Sequence, residues 1–311
     1  MPDALLIGTR FALYADLLLL VGIAAFPLHS RSAWAAPVTA ALTPLATLGL
    51  ALATGHLLLL GAAMFGVSPS AIDGAMIGVL IGETDMGTTG TIRIGALALA
   101  LGAALTMRGR LKPMAVAVAT AGALALATLA WSGHAAATEG AWGTLHRASD
   151  ALHLIAAAVW LGAIAALLMH IGRPTGAAGP PLADTAQTLE RFAPVGTACV
   201  GVILFTGIVN GVAIAGIDGI GALPETAYGR LLALKILLFG LMLALAAANR
   251  WRLTPRLRAV SEAAATSAAV EPGRALRAIR VSLLLEMAAA AAILGLVAWL
   301  GTLAPLPDAS A

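Results

Sequence analysis

Eight times along this chain an apolar stretch of about 20 residues runs almost free of charge, and no other feature narrows the possible folds so far. The first, from about Phe11 to Leu28, contains a single charged side chain, Asp16. A segment of that length crosses the ~30 Å hydrocarbon core of a bilayer as a helix, because lipid offers no partner to an unsatisfied backbone N–H or C=O. The other seven are about Thr39–Leu60, Thr88–Met107, Met114–Trp131, His146–His170, Phe192–Ile214, Tyr228–Asn249 and Ile279–Leu303. Only 11% of the residues are charged and 60% are hydrophobic, far from the quarter or so of charged residues in soluble domains. The expected fold is all-α, a polytopic integral membrane protein of eight transmembrane helices.

The segments between the spans refine this reading. Arg10 before the first span and Ser32-Ala33-Trp34-Ala35-Ala36 after it have some look of a cleaved signal peptide. The apolar region is long for one and holds Asp16, so a retained span is expected. Residues 64–91 are Gly-rich and lack a basic residue; Ala71–Ile81 within them reads as an interfacial or re-entrant helix. A Gly/Pro-rich linker follows from Gly172 to Pro181, and an Arg-rich one precedes the last span. The chain is expected to divide into an N-terminal half of four spans, residues 1–145, and a C-terminal half of four, residues 146–311.

Charge orients the spans. Thirteen of the 18 Lys and Arg fall in one set of alternating loops, and seven of these, Arg250, Arg252, Arg256, Arg258, Arg274, Arg277 and Arg280, lie between the last two spans. The opposite set holds Arg10, Arg93, Arg147 and Arg230, and Lys235 lies within a span. Basic loops stay in the cytoplasm, so both termini are expected in the periplasm. The Arg-rich linker is expected to lie on anionic lipid. The lone cysteine, Cys199, excludes an internal disulfide and any Cys-x-x-Cys site. No Gly-x-x-x-x-Gly-Lys-Ser/Thr phosphate loop is present, so the chain is not by itself an ATP-driven pump. It is not expected to be an enzyme or to bind nucleic acid.

Polar chemistry is concentrated on the fifth span. At 3.6 residues per turn His146, Asp150, His153, Ala157 and Trp160 share one stripe, so two imidazoles and a carboxylate lead into an apolar helix. Ionisable groups at that depth are costly in a bilayer and mark functional sites by default. The orientation puts His56, His134, His146, His153 and Asp16 at one outer level, joined by Asn210 and Lys235. Imidazole and thioether are ligands for soft or borderline metal ions. The four histidines, with Met64, Met76 and Met86 on the same side, form a candidate metal acceptor; the methionines also fit the ordinary role of gap-fillers. Asp150 is placed to orient His153 through its second ring nitrogen. Lys235 is either a residue snorkelling to the headgroups or a counter-charge to Asp16 or Asp150. Glu286 is an exit ligand, a proton site or a partner of a linker arginine. His29 and His170, at cytoplasmic ends, are expected to be solvated.

The run Ser149-Asp150-Ala151-Leu152-His153 continuing to Trp160-Leu161-Gly162 resembles the signature helix of the CopD copper-resistance family. Similar to that family too are Arg191-Phe192-Ala193-Pro194 leading to Phe205-Thr206-Gly207-Ile208-Val209-Asn210, and Tyr228-Gly229-Arg230 through Lys235 to Asn249-Arg250. The likeness covers about residues 146–258; the first four spans resemble the family only in hydropathy and outward histidines. It implies an inner-membrane protein of copper handling that works with a periplasmic CopC-like copper-binding protein and passes copper toward the cytoplasm. Energy would come from the copper gradient, a partner or protons. The alternative is a haem-binding membrane oxidoreductase of b-type cytochrome or HemJ-like kind, with His56 and His153 facing each other as axial ligands.

Overall fold

The structure, a computed structural model, describes residues 2–30, 35–131, 140–172, 182–219, 221, 223–266 and 272–303. His134, the Gly/Pro-rich linker from residue 173 onward and most of the Ser32–Ala36 stretch lie outside these. Among the described residues eight helices are long and apolar enough to cross a membrane: α1 (Pro2–Ala25), α2 (Ala35–Phe65), α4 (Asp85–Thr106), α5 (Leu111–Ala127), α6 (Gly140–Ile171), α7 (Leu182–Gly219), α8 (Ala227–Ala248) and α10 (Pro272–Leu300). Two shorter helices, α3 (Gly74–Glu83) and α9 (Thr254–Thr266), complete the α-helices of the described residues.

The short helix expected within residues 64–91 is α3. Asp73 caps it by accepting the Met76 N–H at 2.8 Å, and Thr84 caps α4 by accepting the Gly87 N–H at 2.9 Å. Gly87 lets the two helices meet, since a Cβ there would lie 1.8 Å from the Leu80 carbonyl oxygen.

The first helix is the centre of the bundle. It packs against α2, α5, α6 and α10, and Leu13, Leu17, Leu18 and Leu20 are fully buried. Its closest crossing is with α6, where a Cβ on Gly22 would fall 1.8 Å from the Ala158 carbonyl oxygen and 2.7 Å from the Gly162 Cα. Small residues at such a crossing let backbones approach where lipid gives no hydrophobic drive between helices.

With an even number of spans, the start of α1 and the end of α10 share one end of the bundle, where Gly301 abuts the Arg10 guanidinium. We call this the termini face and the opposite end the arginine face. At the arginine face α8 runs through a π-helical turn, Asn249–Leu253, into α9. The Arg-rich linker makes protein contacts: α9 packs on α7 and α10, and Arg258 reaches Glu190 at 3.4 Å and Glu262 at 3.0 Å.

Three sequence expectations change here. Arg93 is not a loop residue; it is buried two turns inside α4 and donates its Nε–H to Thr128 Oγ1 at 2.9 Å. His29 is not solvated, because its ring is held against Phe26 and Phe192 at centroid distances of 5.2 and 5.6 Å, and burial lowers its pKa from the ordinary 6.5. His170 is buried with Nε2 3.7 Å from Asp184 Oδ2. In each case a neighbouring helix covers the side chain, which hydropathy alone does not reveal.

Candidate functional site

Helices α1, α6, α7, α8 and α10 surround a cavity of about 540 Å³. All five residues of the fifth-span stripe, His146, Asp150, His153, Ala157 and Trp160, line it. The periodicity of α6 thus places its polar turns at the termini end and its apolar turns deeper. Across from them stand Asn210 on α7, Lys235 and Tyr228 on α8, and Arg10 and Tyr14 on α1. The deeper wall is apolar, with Trp160 edge-on to Phe239 at 6.1 Å and Met242 at the far end of the α8 lining.

The hydrogen bonds fix the state of His153. Thr206 Oγ1 lies 2.6 Å from the Val202 carbonyl oxygen and 3.3 Å from that of Ile203, so its one proton is engaged with its own helix. The 2.9 Å contact between Thr206 Oγ1 and His153 Nδ1 must then be donated by the imidazole. His153 carries its proton on Nδ1, which leaves the Nε2 lone pair available to a ligand. Thr206, and not Asp150, orients the ring. The Asp150 carboxylate instead accepts from Asn210 Nδ2 at 3.3 Å. Lys235 lines the same cavity as Asp150 and His153.

His56 obeys the same local rule elsewhere. Thr9 Oγ1 donates to the Leu5 carbonyl oxygen at 2.9 Å and therefore accepts from His56 Nδ1 at 3.1 Å. That pair sits on the α1–α2 seam, while the cavity is lined by Arg10, Tyr14 and Leu18 on another stripe of α1. His56 and His153 do not face each other. Asp16 also turns to the α1–α2 seam, with its carboxylate in the notch left by Gly49, whose Cβ would lie 2.4 Å from Asp16 Oδ2. It is seven residues, or ~10 Å by the helical rise, deeper than Thr9, near the middle of α1 rather than at the outer level. Neither of its carboxylate oxygens has a hydrogen-bond partner.

The remaining expected residues are spread out. Met64 is exposed at the end of α2, Met76 lies on α3 and Met86 starts α4, and none of the three lines the cavity. Glu286 is buried toward the arginine face, where it accepts from Asn249 Nδ2 rather than from an arginine. His146 and His153 are seven residues apart on one helix, so their depths differ by ~10 Å and they cannot share one ion directly. Among the described residues no group of three or more His, Cys, Asp and Glu side chains is placed to hold a metal.

The structure adds residues that had no role in the sequence reading: Thr206, Thr9, Tyr14, Tyr228 and Met242. Thr206 had a readable signal. It is one turn before Asn210 on the same face of α7, and a threonine inside a membrane helix bonds its own backbone and becomes an acceptor. Met242 had none, since the apolar positions of α8 look alike without knowing which face meets the cavity.

Over 319 aligned residues, covering 99% of both chains, the sequence is 39% identical to Copper resistance protein D of Pseudomonas syringae pv. tomato. The chain belongs to the copper resistance protein D family. Two family profiles match it: the copper resistance protein D-like N-terminal domain over residues 1–144, and copper resistance protein D over residues 186–300. The likeness therefore extends through the first four spans, which sequence motifs had not revealed; α6 falls between the two profiles and is covered by the full-length relative. Partial relatives are the Copper transport protein CutJ of Bacillus subtilis, 41% identical over 38% of this chain and 21% of that protein, and Inner membrane protein YebZ of Escherichia coli, 34% identical over 44% of this chain and 45% of that protein. No solved structure matches. Like this family, the chain is a multi-pass inner-membrane protein of copper handling.

Proposed function

We propose that the chain transports copper across the inner membrane, from periplasm to cytoplasm, as cargo passed along the α6–α7–α8–α10 cavity, and that it is not an enzyme. The observation that carries this reading is His153, a cavity-lining imidazole whose tautomer is set by Thr206 so that Nε2 is left as a ligand. His146 stands ~10 Å nearer the termini face. Met242, a thioether suited to Cu(I), stands deeper on the opposite wall. Taking Trp160 and Phe239 as one level, Met242 is ~15 Å deeper than His153.

Widely spaced single ligands suit passage better than storage, because conduction needs sites strong enough to fill and weak enough to empty. The basic loops at the arginine face support a cytoplasmic location for it, and hence a periplasmic entrance at the termini face, where a CopC-like copper-binding protein would deliver the ion. In this reading Asp150, Asn210 and Lys235 balance charge at the entrance, and His56 is a separate outer residue on the α1–α2 seam. The two family profiles support treating residues 1–145 and 146–311 as two halves joined at α6.

The size and apolar wall of the cavity favour one rival, a flat apolar cofactor such as haem ligated by His153. That reading has lost its proposed second ligand, because His56 is on α2, paired with Thr9 on the α1–α2 seam and absent from the cavity wall. Metal analysis and a visible spectrum of the detergent-purified protein separate the two. The copper reading expects bound copper that falls on His153→Ala and no Soret band, with uptake into vesicles from the periplasmic side. A Soret band, or copper binding and uptake unchanged in His153→Ala, would overturn it.

A further inference from the structure

The cavity ends short of the arginine face, and the next polar group lies just beyond it. Ala290 of α10 and Met242 of α8 line its deep end; Glu286 is one turn further along α10 and Asn249 two turns further along α8. Asn249 Nδ2 donates to Glu286 Oε1 across the two helices. Glu286 is 2% exposed, Asn249 7% and Ser282, one turn beyond Glu286 on the same face of α10, 6%. Asn249 Oδ1 and Ser282 Oγ are both buried with no hydrogen-bond partner. A simple pin between helices would account for the amide N–H and one carboxylate oxygen but not for two buried polar atoms left open, which native proteins avoid unless something binds there. Asn249 also opens the π-helical turn, and such turns concentrate at functional sites because they displace backbone carbonyls from the regular ladder.

We propose that Glu286, Asn249 and Ser282 form a binding site for a small monovalent cation, a proton or Na⁺, distinct from the imidazole cavity above it. The donors are all oxygens, which suit hard cations, whereas Cu(I) prefers thioether and imidazole. One carboxylate matches one positive charge. Among the described residues Glu286 has no ion-pair partner: Arg250 bonds Thr197, Arg258 bonds Glu190 and Glu262, and Arg252, Arg256, Arg274, Arg277 and Arg280 are exposed. On the helices packed nearby, His170 of α6 lies 3.7 Å from Asp184 of α7, and Cys199 of α7 belongs to the same packed cluster as Leu283. Read together with the transport function proposed above, the site would hold the ion whose movement drives copper; that role rests on the transport reading, but the site itself does not.

The test uses the full-length protein in detergent without copper. Dicyclohexylcarbodiimide modifies a buried carboxyl only in its protonated form, and mass spectrometry locates the modified residue. In Na⁺-free buffer Glu286 should be modified, more at mildly acidic than at alkaline pH, and the modification should be lost at that position in Glu286→Gln. Protection by NaCl but not by KCl identifies Na⁺ as the ligand; indifference to both identifies the proton. Ser282→Ala and Asn249→Leu should each shift the pH at which modification is half complete, or abolish Na⁺ protection. Glu286 unmodified in the folded protein but modified after denaturation would overturn the site, as would a pH profile and salt response untouched in both flanking variants. Because copper is absent throughout, neither result bears on whether the cavity carries copper.

Discussion

The bond between His153 and Thr206 allows the cavity to be tested with one methyl-for-hydroxyl exchange. Thr206→Val keeps the shape of a fully buried side chain and removes the acceptor that holds His153 Nδ1–H. The fold loses the bond from His153 and the hydroxyl's own bond to the Val202 carbonyl oxygen and leaves a buried N–H unpaired, about 1–3 kcal/mol. Metal affinity should fall as well: removing the partner that orients a ligating imidazole costs about 10–100-fold, or roughly 1.4–2.8 kcal/mol. Thr206→Ser keeps the oxygen and should stay near wild type. Thr9→Val provides a matched control, because it removes the same kind of bond from His56 at 3.1 Å without touching the cavity. The assay is competition for Cu(I) against a chromophoric chelator in detergent, with thermal unfolding measured on the same preparations. Unchanged copper affinity in Thr206→Val, or an equal loss in Thr9→Val, would refute the assignment of His153 as the ligand whose tautomer matters.

Two further outcomes follow from packing and burial. Gly22→Ala should disrupt the bundle, since its Cβ would sit 1.8 Å from the Ala158 carbonyl oxygen, at a cost of at least the ~1–3 kcal/mol typical of overpacking; Gly8→Ala, where nothing lies within 4 Å, should be silent, and equal melting temperatures for the two would refute the crossing. His29, beyond the end of the first span, has its pKa lowered from 6.5 by burial, so the unfolded chain binds more protons than the folded one as the solution is acidified. The stability it contributes is present above about pH 6.5 and is lost as pH falls toward the folded value, so His29→Leu should flatten the acid limb of melting temperature against pH; superimposable acid limbs would show that His29 is not the group responsible.

Amino-acid order alone determined the number of spans, the short helix α3 and the stripe of α6, because hydropathy and a 3.6-residue period are local properties that lipid enforces segment by segment. It also marked the copper-resistance likeness in the second half. The gathering of those residues was decided by tertiary packing. His56 and Asp16 stand on helices with the right polarity, yet the α1–α2 seam takes them away from the cavity, since a side chain's neighbours depend on which stripe of its helix faces which partner. The crossing at Gly22 and Gly162 sets that rotation for α1 and α6. The same packing brought Thr206 to His153 and Asn249 to Glu286, pairs 53 and 37 residues apart in the chain. Contacts of that separation have no periodic trace in a single sequence; they exist only once the helices have chosen their neighbours.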